Sequence, residues 1–337
     1  MRDLIKKLCL LNGPSGAERP VSDFIQEELK GYAEIKEDGM GNLIVFKKGK
    51  KPSVNKLMID AHTDEVGMII TNITCDGFLK FETVGGIQPS SLINRKVIIE
   101  NKIYGVIGSK PIHLCKGDEK EKAPDESSLY IDIGADSKEQ AEKTVTLGSL
   151  ATFVSDFALL SDNIFKAKAI DDRIGCAILI SLLKKEAEYD YWATFTVQEE
   201  LGCRGARVAA FNVEPDFCIC LEATTAADID GVPAESTVCS LGKGPAVSFM
   251  DRSTLYDREL YNTALNSKIP CQSKSAVTGG NNSGAIHLSQ TGVRTLAVSV
   301  PCRYIHSPSC VADFSDAENA LKLTEYMIEK ICSGEIK

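Results

Sequence analysis

Apolar positions recur at helical spacing over residues 3–11 and 19–31, the second stretch carrying Val21, Phe24, Ile25 and Leu29, with Ser15 as a nearby cap and Gly31 as the stop. Short strands are predicted at 33–37 and 42–47, around the turn Asp38-Gly39-Met40-Gly41-Asn42. A third, at 56–61, contains LMIDA, the near-continuous apolar run of a strand covered on both faces. From Val66 to about Ser161 the pattern changes to short strands (VGMIITNIT, GFLKFETVGG, RKVIIENKIYGVIG, LYIDIGA, SLATFV) separated by Gly, Asn and Asp. The charged connection at 116–128 is expected to be an exposed loop. After Ala167 helix and strand alternate again: the helix DDRIGCAILISLLKK, the strand WATFTV, the helix GARVAAFNV and the strand DFCICLEA. Then come AVSFM, a helix near 255–266, AVTGG, a helix near 283–290, the strand TLAVSV and a final helix at 316–333. This order predicts an α/β domain built from both ends of the chain, with a small all-β module inserted at about 66–161.

Composition narrows the function classes. The 337 residues are 43% apolar and 25% charged, an ordinary globular balance long enough for two domains. Lys and Arg number 38 against 47 Asp and Glu, and the basic residues are scattered, which argues against a nucleic-acid partner. Apolar runs such as Cys176–Ile180 fall far short of the roughly 18 residues of a membrane span. The start MRDLIKKLCLLNGPSG lacks the apolar stretch of a signal peptide. A cytoplasmic protein with no membrane partner is expected. Twelve cysteines form no CxxC pair, and Cys218 and Cys220 share one face of a predicted strand, so they read as small buried hydrophobes in a reducing compartment.

Four apolar strands run directly into residues that can bind metal. LMIDA leads into His62-Thr63-Asp64-Glu65, ATFTV into Gln198-Glu199-Glu200, FCICL into Glu222, and TLAVSV into the segment ending at His306. Ligand sites of open α/β sheets lie beyond the carboxyl ends of strands, so these segments could converge with Asp171-Asp172 on one crevice. The chain has only four histidines, and two of them stand at such strand ends, whereas His113 and His287 lack acidic neighbours. Two imidazoles with several carboxylates suit Zn²⁺, Co²⁺ or Mn²⁺. Singly, each piece has a plainer meaning: Asp171-Asp172 as a helix cap, Glu199-Glu200 as solvated loop charge, His62 and His306 as hydrogen-bonded structural histidines.

The ordered set AHTDE, AIDDRIG, VQEELGCRGA, LEAT and RYIHSP resembles the co-catalytic metallopeptidase family of tetrahedral and glutamyl aminopeptidases, whose members were once misnamed cellulases. The resemblance extends to GPSGAE, DGMGNLI, TVGG, INRKVII and GGNNSGAIHLS, nearly the whole chain. It implies a mixed-sheet catalytic α/β domain from residues 1–65 and 162–337. It also implies a barrel- or PDZ-like all-β dimerisation domain at 66–161, and a homo-oligomer of dimers assembled into a tetrahedral dodecamer that admits short peptides. Carried over residue by residue, it implies two divalent ions bridged by Asp171, with Glu200 and His306 completing one and His62 and Glu222 the other. Glu199 is left as general base, Asp64 orients the His62 imidazole, and the Asp171-Asp172 peptide is cis.

Two positions depart from the family pattern. Glu222 stands where the aminopeptidases commonly have Asp and where related deacylases and carboxypeptidases have Glu. Asn281-Asn282 replace a Thr-Asp pair, removing a charge expected near the substrate. The reading is a metal-dependent aminopeptidase acting on short peptides. The alternatives are a two-metal N-acyl amino acid deacylase or carboxypeptidase, and a non-catalytic metal-binding shell. An acidic preference, with Arg303 attracting the acid, competes with Arg303 as a structural ion-pair partner. A metal-free glycosidase is disfavoured by the histidine set and the single Trp192.

Overall fold

The computed structural model describes residues 1–117 and 121–336. Helices α1 (Arg2–Leu10) and α2 (Arg19–Glu28) precede strands β1 (Glu34–Glu37), β2 (Leu43–Lys47) and β3 (Leu57–His62). The chain then forms β4 (Gly67–Ile73), β5 (Leu79–Val84), a turn of helix α3 (Pro89–Leu92), β6 (Lys96–Ile99), β7 (Ile103–Gly108), β8 (Tyr130–Asp132), α4 (Lys138–Ala141) and β9 (Leu150–Phe153). It returns through β10 (Ala158–Leu159), β11 (Ile164–Ala167), α5 (Ile170–Leu183), β12 (Tyr191–Thr196), α6 (Arg204–Val213), β13 (Phe217–Thr225), β14 (Ala246–Val247) and α7 (Arg258–Leu265). The last elements are β15 (Gln272–Ser273), α8 (Ser283–Ile286), β16 (Arg294–Arg303), β17 (Cys310–Asp313) and α9 (Phe314–Cys332).

One mixed sheet runs β1-β2-β12-β3-β13-β16-β17-β11-β10, with β14 attached to β16 and β15 to β14. Its centre is parallel: β12, β3, β13 and β16 pair in register, Thr196 opposite His62 and Glu222 opposite Ser299. Every residue of β3 is buried, as a strand covered on both faces must be. Alternation splits it cleanly. Leu57, Ile59 and Ala61 face the main core with α1, α2, α5 and α9, while Met58 joins Cys218, Cys220 and the apolar residues of α6 on the other side. Cys218 and Cys220 thus share a face, their sulfurs 3.9 Å apart.

The inserted strands close into a six-stranded antiparallel barrel, β4-β5-β8-β7-β6-β9, around its own core of Met68, Phe81, Val97, Ile107 and Phe153. Strand β10 pairs with β11 in the large sheet, so the barrel strands span Gly67 to Phe153. Of the expected loop at 116–128, residues 118–120 lie outside the described residues; the rest is mostly exposed. Three local expectations shift. Helix α2 ends at Glu28, and Gly31, at φ 82°, lies beyond it in the left-handed region. AVSFM forms a strand only at Ala246–Val247, with Met250 in an isolated bridge to Leu255, and AVTGG forms a loop in which Gly279 has φ 70°.

Candidate metal centre

Three of the four central parallel strands deliver a site segment at the same end of the sheet: β3 ends in His62, β12 leads into Glu199 and Glu200, and β13 carries Glu222. The fourth, β16, leads through a short turn to His306. The turns that aim these groups are tight. Ala169, Gln198, Cys203, Tyr304 and His306 all take positive φ between 52° and 58°, a conformation costly for residues with a Cβ and concentrated here at the site.

The acidic pair at the start of α5 divides its labour. The Asp171-Asp172 peptide is cis, and regular helix begins only after Asp172. Asp172 is the cap: its carboxylate accepts from the Gly175 amide at 3.0 Å and from the His62 amide at 3.3 Å. A Cβ on Gly175 would collide with that carboxylate, which is why glycine stands there. Asp171 points the other way, its Oδ1 lying 3.2 Å from His62 Nε2 and its Oδ2 3.2 Å from His306 Nε2. Glu200 Oε1 lies 3.3 Å from His306 Nε2, and Glu222 Oε2 lies 3.7 Å from His62 Nε2.

Both imidazoles have a neighbour behind the ring, a hydrogen bond for His306 and a carboxylate contact for His62. His306 Nδ1 donates to the carbonyl of Gly86 at 2.8 Å, so the barrel reaches across to orient a residue of the sheet. His62 Nδ1 lies 3.3 Å from Asp64 Oδ1. Asp64, fully buried, also accepts from Ser15 Oγ at 2.6 Å and from the amides of Glu199 and Glu200 at 3.0 and 3.1 Å. One carboxylate therefore holds the β12 turn as well as His62.

The electrostatics describe a site short of positive charge. Burial raises Glu200 to about 8 and also drives Glu199 and Glu222 up. Burial would raise Asp171 as well, but the two imidazoles outweigh it and hold that carboxyl well below the usual range. Burial opposes charge on His306, yet Asp171 and Glu200 lift it to about 10. The oxygens Glu200 Oε1 and Glu222 Oε1 are buried without a hydrogen-bond partner. Two ligand groups form, His62-Asp172-Glu222 and Asp171-Glu200-His306, the ligand atoms within each lying within 4.8 Å of one another. Crowded carboxylates, inward-facing imidazole nitrogens and orphaned oxygens fit divalent cations.

The seven residues singled out from sequence, His62, Asp64, Asp171, Glu199, Glu200, Glu222 and His306, all lie together. Asp172, expected either to converge on the crevice with Asp171 or to cap a helix, does both and joins the His62 group. Cys203 also belongs, its sulfur 3.4 Å from Glu199 Oε1. His287 stays outside, its Nδ1 2.8 Å from the Ser283 carbonyl, and His113 is exposed. Arg303 is a structural partner, engaging Asp228 through two bonds of 2.7 and 2.8 Å. Asn282, expected near the substrate, is fully buried and donates to Asp60 and Thr196. Asn281 does line the cleft, although its amide donates to Tyr256.

A cleft of about 1270 Å³ opens over this floor, bounded by α6 on one side and by the 279–290 segment on the other. A parallel-sheet crevice floored by His306 and four carboxylates, with His62 buried directly beneath, defines a candidate metal-dependent hydrolase. The family model of M42 glutamyl aminopeptidase matches residues 41–323, and the chain belongs to this family of aminopeptidases. The chain is 33% identical to the lysyl aminopeptidase of Pyrococcus furiosus, over 98% of this chain and 97% of that protein. Its fold is similar to the aminopeptidase APDkam598 of the archaeon Desulfurococcus kamchatkensis, with TM-score 0.93 and 34% identity, covering 99% and 96% of the two chains. It is also similar to the Pyrococcus horikoshii TET1 peptidase, which can assemble into a tetrahedron or a large octahedral shell, with TM-score 0.85 and 32% identity over 97% and 98%. No helix among the described residues is long and apolar enough to cross a membrane.

Proposed function

We propose that the protein is a two-metal aminopeptidase that releases amino-terminal residues from short peptides. The observation that carries this reading is Asp171, each of whose oxygens faces the Nε2 of a different histidine. That is the position of a bridging carboxylate, with Glu200 and His306 completing one site and His62 and Glu222 the other. Divalent ions held there would polarise the peptide carbonyl and activate a water. Zinc or cobalt suits the donor set best, with manganese a third choice.

Glu199 is the general base. It sits in the cleft beside the bridging residue, and its burial raises its proton affinity, the direction a base needs. As water attacks the carbonyl carbon, Glu199 takes its proton. The C–N bond then breaks, and Glu199 returns the proton to the leaving amine. Asp64 holds Glu199 in place by its amide and fixes the ring of His62, so it acts through those residues.

The deacylase alternative rested on Glu222 and the Asn281-Asn282 pair, and the burial of Asn282 in hydrogen bonds within the sheet removes part of that support. A homo-oligomeric shell is proposed by similarity to the TET1 peptidase, and a cytoplasmic location from twelve free, mostly buried thiols.

Metal-stripped protein given Zn²⁺, Co²⁺ or Mn²⁺ tests the reading with free-amino dipeptides and aminoacyl amides beside their N-acylated counterparts. Metal-restored release of amino-terminal residues is expected. Activity on the acylated set alone would replace the proposal with the deacylase, and silence on both would leave a metal-binding shell.

A further inference from the structure

The cleft carries charge that the metal chemistry does not use. Its acids, Asp171, Glu199, Glu200 and Glu222, are all on the floor. Its wall on the α6 side carries two arginines, Arg204 and Arg207, both exposed and neither forming an ion pair with any described residue. They lie on one helical stripe with Val208 and Phe211, at spacings of three and four residues, and Ala285 and Leu288 line the same cleft. At 1.5 Å per residue, the stripe from Arg204 to Phe211 is about 10 Å long, the length of about three extended peptide residues.

The direction of the stripe assigns it a side of the scissile bond. Helix α6 starts at Arg204, directly after Cys203, whose thiol contacts Glu199. The group that hands its proton to the leaving amine must stand on the leaving-group side. The stripe beginning next to it therefore flanks the part of the peptide that departs.

From this geometry we infer that Arg204 and Arg207 are specificity-determining residues that bind a carboxylate on the departing portion of the substrate. That carboxylate is either the carboxyl terminus of a di- or tripeptide or an acidic side chain within the first three departing residues. The inference rests on the aminopeptidase reading and deepens it. Guanidinium groups suit the task because they remain charged and can grip a carboxylate through two parallel bonds. Since both arginines face water, the selectivity is screened by salt. Arg303, committed to Asp228, is not available for this role.

The test uses metal-loaded full-length protein and tripeptides in matched pairs. One pair is a free-acid tripeptide and its carboxyl-terminal amide; the other is a tripeptide amide with Glu or with Gln after the scissile bond. Wild type is expected to favour the carboxylate member of at least one pair by roughly three- to tenfold in kcat/KM, mainly through KM, and less so at high salt. The pair that responds identifies which carboxylate is read. In Arg204→Gln/Arg207→Gln the ratio should fall to about one, while Arg204→Lys/Arg207→Lys should keep part of it. Arg207→Gln alone supplies a milder variant should the double change disturb the helix. Ratios near one for both pairs in wild type, or a ratio unchanged in the Gln variants, would overturn the assignment. If wild type cleaves none of these peptides, the aminopeptidase reading falls. Calorimetric titration of the same pairs into wild type and the double variant then decides the wall by itself, with equal affinities for acid and amide overturning it.

Discussion

The side-chain amide of Asn282 donates to the Asp60 carboxylate at 2.7 Å, in the interior between the sheet and α8, where neither residue is exposed. Asp60 also accepts from the Thr194 hydroxyl at 2.6 Å, and burial still raises its carboxyl to about 6. An acid whose folded pKa lies above its unfolded value of 3.8 gives stability fully present below pH 3.8 and lost as pH rises through about 6.

Asn282→Asp should therefore set two carboxylates face to face and destabilise the protein by about 1–3 kcal/mol at neutral pH, and by less near pH 5, where one of them holds a proton. Denaturant unfolding at the two pH values measures this. The preference between free-amino and acylated substrates should not move, because the residue packs within the fold. A changed preference would return Asn282 to the substrate site.

Asp60→Asn should cost about as much by presenting two amide NH₂ groups to each other, and Asp60→Asn/Asn282→Asp should recover part of the loss by exchanging donor and acceptor. The stability difference between wild type and Asp60→Asn should also slope with pH between about 4 and 6, by up to about 3 kcal/mol across the window, wild type losing ground as pH rises. A flat difference would show that Asp60 does not titrate there.

Glu199→Gln should lower kcat by on the order of 10²–10⁴-fold while metal content after dialysis stays at the wild-type level, because the residue moves a proton and is not a ligand. Loss of metal together with activity would make Glu199 a ligand.

Asp64→Asn should weaken metal binding by about 10–100-fold, and kcat should drop beyond what saturating metal restores. The first effect follows from the His62 contact and the second from the amides of Glu199 and Glu200, which an amide side chain cannot accept as well. Full recovery of kcat at saturating metal would confine Asp64 to orienting His62.

Why so much of the floor was legible is clear from β3 and β13. Parallel strands buried on both faces read as apolar runs, so His62 and Glu222 stand out as polar groups where those runs end. What failed to show were partners brought together by tertiary packing. The carbonyl of Gly86 meets His306 from a barrel loop 220 residues away in sequence, and a backbone acceptor leaves no residue-type signal. Arg303 and Asp228 are separated by 75 residues, and nothing in either segment distinguishes a bonded arginine from a substrate-binding one. Asp171 and Asp172 are adjacent and chemically identical; only the backbone turn between them aims one between the two histidines and makes the other both a helix cap and a neighbour of His62.

Metal loading itself should be proton-coupled. In the metal-free protein burial raises Glu200 to about 8, Asp171 and Glu200 lift His306 to about 10, and the two groups, 3.3 Å apart, hold at least one proton between them at pH 7. A ligand must give up its proton to bind, so at pH 7 loading should expel protons and affinity should rise as pH goes from 6 towards 8. Glu200 loses its penalty above about 8, whereas His306 continues to contribute until about 10, so the slope should ease without vanishing across that range. Calorimetry in buffers of different ionisation enthalpy counts the protons directly, and at least one per subunit is expected at pH 7. The bound ions should also raise the unfolding midpoint, by the equivalent of about 2.7 kcal/mol at a hundredfold excess over the dissociation constant, with chelation reversing it. Binding that releases no proton and leaves the midpoint unchanged would mean that the ions are not held by Glu200 and His306.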